Sequence, residues 1–148
     1  NVIPPIPLSL TVLEIEQSVV RLSNGNYSIV SETQPWYRTL PFARNIIHPT
    51  GSSIACFARV YAPTKLETEI FHRWEYKNAA GDWVERFRLG YAISGANTGG
   101  YRGYTQLQNF TDGLWRCSVE TKRGQVLGRQ SVIIKLNEPA NETVTKIE

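Results

Sequence analysis

The sequence contains no methionine, only two cysteines and two histidines, and no long apolar run. Because methionine is absent, we expect that Asn1 is not a translation start and that the chain is a processed protein or a domain excised from a longer one. The apolar runs are too short to span a bilayer, and the opening NVIPPIPLSL lacks the charged segment and apolar core of a signal peptide. We therefore expect any membrane anchor to lie in a segment outside this chain.

The sequence also lacks a large excess of either charge, because 16 basic and 13 acidic residues leave a formal net charge of only +3. The basic residues are scattered and do not form a stripe, so we expect no nucleic-acid partner. Apolar residues make up 41% of the 148 residues, which is enough for one domain with its own core.

Side chains that commonly carry chemistry are sparse as well. Neither His48 nor His72 has a second histidine, cysteine or carboxylate at ligand spacing, so we predict no metal. His72 shares a strand face with Ile70 and Trp74 and is interpreted as a core histidine. No phosphate loop or dinucleotide fingerprint is present, and we predict no cofactor. No nucleophile or acid–base pair stands out, so we predict no catalytic residues and a protein that is not an enzyme.

What the chain does have is a regular alternation of short strands and tight turns in residues 71–134. Turn signals at AAGD, TDG and KRG separate segments with the period of two that is typical of half-buried strands. The pattern predicts an all-β fold, an antiparallel β-sandwich with immunoglobulin-like architecture and little or no helix. We expect about seven to nine strands.

Three parts are predicted along the chain. Residues 1–10 contain three prolines and are interpreted as an extended lead-in from an upstream, membrane-associated segment. Residues 11–136 form the sandwich, and residues 137–148 are a polar tail that we expect to fray. The predicted core consists of Ile54, Cys56, Ala58, Val60, Ile70, Trp74, Phe87, Leu89, Trp115, Cys117, Val119, Val126 and Val132.

Cys56 and Cys117 lie on separate strand-like segments, each on the face predicted to be buried. Two inward cysteines of a sandwich could meet and form a disulfide in an oxidising compartment. Alternatively, both are free and pack as small hydrophobic residues. Separation in sequence does not establish the geometry of a bond, so both interpretations stay open.

Two irregular segments are the candidates for a binding surface. The glycine-rich segment SGANTGGYRGYT contains Tyr101, Arg102 and Tyr104, and the proline-containing segment 32–50 contains Trp36 and Tyr37. Aromatic rings with a guanidinium group suit sugar rings, acidic polymers or a protein partner. The structural alternative is that the tyrosines pack at the edge of the core and that Trp36 and Tyr37 cap it.

Four segments together resemble the bacterial domain-of-unknown-function 2914 family. They are FHRWEY, GGYRGYT, DGLWRCSVET and RGQVLGR. The family's strand motif reads W-R-V-x-V-E-T, and Cys117 stands in place of the usual apolar residue, as a core position allows. The resemblance implies an extracytoplasmic domain that follows membrane-spanning helices or another anchor. The lead-in IPPIPLSL is similar to the sequence that leaves the last such helix. The family implies no mechanism and no catalytic residues.

Two hypotheses about function follow. The first is a non-catalytic binding or interaction module in the periplasm or cell envelope, tethered to the membrane, whose partner is a polysaccharide or a protein. The alternative is an enzyme that acts on a cell-envelope glycan. Two carboxyl groups facing each other across a cleft, about 5–10 Å apart, would favour the enzyme.

Overall fold

The computed structural model describes residues 8–34, 45–62, 66–95 and 100–148, and every helix or strand element within these ranges is a strand. The strands are β1 (Ser9–Glu16), β2 (Ser18–Arg21), β3 (Tyr27–Glu32), β4 (Asn45–Ile47), β5 (Ser53–Tyr61), β6 (Leu66–Lys77), β7 (Trp83–Gly95), β8 (Tyr101–Gln108), β9 (Gly113–Thr121), β10 (Val126–Ile134) and β11 (Thr143–Ile147). In these ranges no helix is long and apolar enough to cross a membrane. The all-β class is confirmed. The expected number of strands is too small, because β4 lies in the segment that was interpreted as irregular and β11 lies in the tail that was expected to fray.

The strands form three sheets. A central sheet has the order β1-β5-β8, a large sheet has the order β4-β10-β9-β6-β7, and a small sheet has the order β11-β3-β2. Neighbouring strands are antiparallel except β4 and β10, which pair in parallel. The central and large sheets are the two layers of the predicted sandwich, and the small sheet is a third layer.

Strand β5 explains this layering, because it is buried on both faces. Ile54 and Cys56 enter a core cluster shared with the large sheet. The intervening residues Ala55 and Phe57 pack with Ile29 and other residues of the small sheet. A strand that is apolar at nearly every position is typical of the middle of a layered β structure.

Most of the predicted core is confirmed. Of the predicted core residues, the following are at most 2% exposed: Ile54, Cys56, Ala58, Val60, Ile70, Trp74, Trp115, Cys117, Val119 and Val132. Phe87 packs against this core while remaining partly exposed. The prediction is wrong for Leu89, which is 54% exposed on the edge strand β7, and for Val126, which is 38% exposed at the first position of β10.

A bulge in β7 changes which face its residues occupy. Trp74 pairs with Phe87, whereas the next residue of β6, Glu75, pairs with Glu85, so Arg86 is the extra residue. Simple alternation would place Glu85 on the same face as Phe87. The bulge instead turns Glu85 outward, where it lies 3.2 Å from Arg73.

The C-terminal segment was expected to fray, and this expectation is wrong for β11. Residues 143–147 pair with β3 over its whole length. The main-chain groups of Glu148 also exchange hydrogen bonds with those of Tyr27, at 2.8 and 2.9 Å. The segment was misjudged because its side chains are mostly polar and exposed, whereas its attachment is through the backbone and through ion pairs.

Candidate functional site

The predicted surface residues Tyr101, Arg102 and Tyr104 lie on β8, a regular strand, and not in an irregular loop. Alternation therefore separates them. Tyr101 is 8% exposed and packs with the core shared with the large sheet. Tyr104 packs toward the small sheet, and Arg102 points to the same side. Trp36 and Tyr37 lie outside the residues that the structure describes.

Gly103 separates the two tyrosines and has a packing role. A Cβ atom at this position would lie 2.4 Å from the ring of Tyr91, so only glycine admits that ring. The hydroxyl group of Tyr91 then hydrogen-bonds to His72 at 3.1 Å. Part of the glycine-rich pattern therefore serves packing between the sheets.

Arg102 is held over the small sheet by Tyr27 and the β2–β3 turn. Its guanidinium group lies 5.4 Å from the centre of the Tyr27 ring and donates to the Gly25 carbonyl at 3.3 Å and to Asn26 Oδ1 at 3.4 Å. Tyr27 in turn donates its hydroxyl proton to the Arg102 carbonyl at 3.2 Å. Tyr104 meets the Tyr27 ring edge-on at 6.0 Å. Tyr27 is thus a site residue that sequence reasoning missed.

A cavity of about 250 Å³ opens beside these residues, and its lining includes Arg21, Tyr27, Tyr101 and Arg102. Within the described ranges, neither arginine has a carboxylate at ion-pair distance. Two such arginines are suited to an anionic group such as a carboxylate. The Tyr101 hydroxyl is buried and has no hydrogen-bond partner among the described residues.

A second polar cleft surrounds Glu16 on β1. Two adjoining cavities of about 200 and 70 Å³ are both lined by Ile15, Glu16, Asn45 and Val132. Burial raises the pKa of Glu16 to about 7, and the charge of Glu14 adds to the rise. Sequence reasoning did not single out Glu14 and Glu16, although the alternation of the two glutamates was visible.

Glu14 differs from Glu16 in having a cationic partner. Its Oε1 atom accepts a hydrogen bond of 2.9 Å from the amino group of Lys146 on β11. The Glu14 side chain is 29% exposed. Two neighbouring carboxyl groups in different surroundings can serve as an acid and a base.

The cysteine question is resolved in favour of pairing, since Cys56 and Cys117 form a disulfide between β5 and β9. His72 lies within 4.8 Å of both sulfur atoms. Burial lowers the pKa of His72 to about 4, and its Nδ1 atom hydrogen-bonds to Thr105 Oγ1 at 2.8 Å. The interpretation of His72 as a core histidine is confirmed, and both sulfur atoms are committed to the disulfide.

The motif strand β9 has a second role on the outer face of the large sheet. Its alternate residues enter the core, whereas Arg116 and Glu120 face outward. Arg116 pairs with Glu75 at 2.9 Å. Glu120 pairs with Arg73 at 3.2 Å and with Arg88 at 3.0 Å, and it is 4% exposed. The motif thus encodes a bulky inner face and a network of ion pairs outside.

The layered antiparallel sheets define an immunoglobulin-like β-sandwich domain. Residues 67–133, from β6 to β10, match the family described as a protein of unknown function, DUF2914. The resemblance to that family is thus confirmed for this segment, which contains the motif strand and one of the two disulfide cysteines. No curated protein matches the chain.

Two solved structures are similar in fold. An immunoglobulin-like protein from Pseudomonas aeruginosa is 10% identical, with a TM-score of 0.45, and the match covers 86% of this chain and 96% of that one. An alkylpurine DNA glycosylase from Pseudomonas fluorescens, bound to DNA containing an abasic site analogue, is 13% identical, with a TM-score of 0.43. The match covers 86% of this chain but only 30% of the glycosylase.

Proposed function

We propose that this domain is a non-catalytic binding module outside the cytoplasm, and that it recognises an acidic group of a cell-envelope glycan. The observation that carries the proposal is the cavity beside β8, whose lining includes Arg21, Tyr27 and Arg102. Within the described ranges, neither arginine is paired with a carboxylate, and a ligand carboxylate would supply that partner.

The kind of ligand follows from the neighbouring rings. Tyr27 and Tyr104 offer aromatic surface next to Arg102, and sugar rings stack on such surfaces while a carboxylate pairs with a guanidinium group. The disulfide supports a location outside the cytoplasm, because such bonds persist in oxidising compartments. The membrane tether belongs to the same proposal, with its anchor in a segment outside this chain.

Binding to polygalacturonate, an acidic polysaccharide, tests the proposal, with the neutral polymer dextran as the comparison. Isothermal titration calorimetry should detect binding of polygalacturonate and no binding of dextran. Arg102→Ala should weaken binding about tenfold or more, because a charge-assisted pair is lost. Arg102→Lys keeps the charge without the planar fork and should weaken binding less.

Tyr101→Phe is a control variant, because the Tyr101 side chain packs toward the large sheet, on the side of β8 opposite to Arg102, and its hydroxyl has no hydrogen-bond partner within the described ranges. We expect an unchanged or slightly higher melting temperature together with unchanged binding to polygalacturonate. Equal binding of dextran and polygalacturonate would contradict the proposal. Binding of a polyglutamate peptide without polygalacturonate would replace the glycan with an acidic protein partner.

The carboxyl pair on β1 supports a second candidate, an enzyme that acts on a cell-envelope glycan. With a pKa of about 7, Glu16 can donate a proton at neutral pH, while Glu14 beside it is paired with Lys146. Release of reducing ends from peptidoglycan by the wild type, and its loss in Glu16→Gln, would favour this candidate. No turnover by the wild type would reject it.

A further inference from the structure

His48 lies between two carboxylates that come from different parts of the chain. It follows β4 and is 7% exposed. Its Nδ1 atom is 2.7 Å from Oε2 of Glu32 on β3, and its Nε2 atom is 2.9 Å from Oε2 of Glu138, which follows β10. We refer to these three residues as the latch.

One side of the latch is rigidly built. Glu32 is buried, and its Oε1 atom accepts hydrogen bonds from the main-chain N–H of His48 and from Gln17 Nε2, both at 2.9 Å. Its Oε2 atom accepts a further bond from Asn141 Nδ2 at 3.2 Å. This network fixes the carboxylate and thereby the orientation of the imidazole ring.

The other side depends on the proton that His48 carries. An imidazole with a carboxylate oxygen at each nitrogen can satisfy both only by donating from both, which makes it a cation. Burial alone would lower the pKa of His48, but the hydrogen bonds to Glu32 and Glu138 raise it above 6.5. The bond to His48 holds the pKa of Glu138 below its ordinary value, and Lys135 lies 3.6 Å from the same carboxylate.

Glu138 begins a segment, residues 138–148, that we call the strap. Beyond the latch, the strap is attached by Thr33, which donates from its main chain to the Glu142 carbonyl at 2.8 Å, and by the pairing of β11 with β3. Farther along, Lys146 reaches Glu14, and Glu148 reaches Arg59 at 2.8 Å. The latch is the attachment at the end where the chain leaves β10, and its charge depends on the protonation of His48. At the other end, Glu16, with a pKa of about 7, attracts Lys146 more strongly once it is ionised, so that end responds to a rise in pH in the opposite sense.

We propose that the latch is a proton-dependent fastening of the strap, closed while His48 is protonated and opened when it loses its proton as the pH rises. A histidine whose pKa is raised in the folded state contributes stability below its unfolded pKa, and this stability is lost as the pH rises through the folded value. Opening at Glu138 would loosen the strap from that end and uncover Glu32 and the edge of β3. This inference does not depend on the proposed ligand.

Nuclear magnetic resonance tests the fastening directly, because the chain has only two histidines. His72, with a pKa of about 4, does not titrate above pH 6 and serves as an internal reference. We expect His48 to titrate above 6.5. The rate of amide hydrogen exchange in β11 should be divided by the rate in β9 at the same pH, because the intrinsic exchange rate itself rises with pH. We expect this ratio to rise about tenfold once His48 is deprotonated.

Two variants in the strap complete the test. Glu138→Gln should lower the titration midpoint of His48 and accelerate exchange in β11 already at pH 6, and the fold should survive because the Glu138 side chain is 53% exposed. Glu142→Gln makes the same change of charge at an exposed residue four positions on and should alter neither signal. The proposal would be overturned if the ratio of exchange rates did not change as His48 titrates. It would also be overturned if Glu138→Gln and Glu142→Gln had equal effects on the His48 midpoint and on exchange in β11.

Discussion

The two faces of the central sheet are held in different ways. Toward the large sheet, the contact is the disulfide and a dense apolar core in which Cys56, Trp74 and Cys117 are 0% exposed. Toward the small sheet, an apolar patch around Phe57 gives way to the ion pairs Glu14–Lys146 and Arg59–Glu148.

The two contacts differ in how strongly they depend on solution conditions. Apolar burial and a covalent bond respond little to pH and salt, so the contact with the large sheet specifies the fold. Partly exposed ion pairs contribute less and depend on protonation and ionic strength. The contact with the small sheet is therefore where conditions can act on this protein, and three substitutions test the distinction.

Removal of the disulfide should have the largest effect. The bond joins residues separated by 61 positions, and the loop-closure entropy model gives about 4 kcal/mol for a loop of that length. We expect Cys56→Ala/Cys117→Ala to lose stability of this order in urea unfolding. Wild type unfolded in reductant is the control, because it loses the bond but keeps both sulfur atoms. A stability that is indifferent to reductant would show that apolar packing alone holds this face.

A smaller effect of opposite sign is expected for Glu16→Gln. The carboxyl has a pKa of about 7 in the folded protein against 4.5 as the ordinary value, so the folded state binds more protons between these pH values. Stability therefore falls as the pH rises from 4.5 to 7 and stays lower above that range. At pH 8 the variant should be more stable than wild type by up to about 3 kcal/mol, because each pKa unit corresponds to about 1.4 kcal/mol.

Urea unfolding of both proteins at pH 4 and pH 8 measures this difference. At pH 4 the two should be nearly equal, because the wild-type carboxyl is then neutral in the folded state. A difference that is the same at both pH values would mean that the substitution acts through packing and not through ionisation.

The smallest effect is expected for Lys146→Met, which breaks the ion pair with Glu14 at the partly exposed contact. The loss should be about 1 kcal/mol or less at low salt and should shrink as salt is added. Thermal unfolding at two salt concentrations measures it. A loss as large as that of the disulfide would erase the contrast between the two faces.

Prediction from the sequence succeeded where the alternation of apolar and polar residues in a strand reflects which face of that strand is buried. The alternation in β6 placed Ile70 and Trp74 in the core because one face of that strand is buried and the other carries charges. Prediction was wrong where geometry is set from outside the segment. Leu89 alternates like a core residue, but it lies on the edge strand β7 and is 54% exposed.

The candidate sites were less accessible to such reasoning for a related reason. Tyr101 and Arg102 were singled out by residue type, but Tyr27 and Arg21, which complete their cavity, come from a distant hairpin that only the layering brings near. Likewise, the partners of His48 lie 16 and 90 positions away in the chain. No spacing rule detects partners that separate layers contribute.

The disulfide also determines how the domain would respond to a pulling force. The stretch between Cys56 and Cys117 cannot be drawn out while the bond is intact, which removes about 200 Å of chain from any extension, at about 3.5 Å per residue. The strap lies outside this covalent loop, and its hydrogen bonds to β3 would be loaded one after another when the C-terminal end is pulled. Under tension, a domain built in this way would lose its outer layer, whereas the stretch between the two cysteines would stay closed.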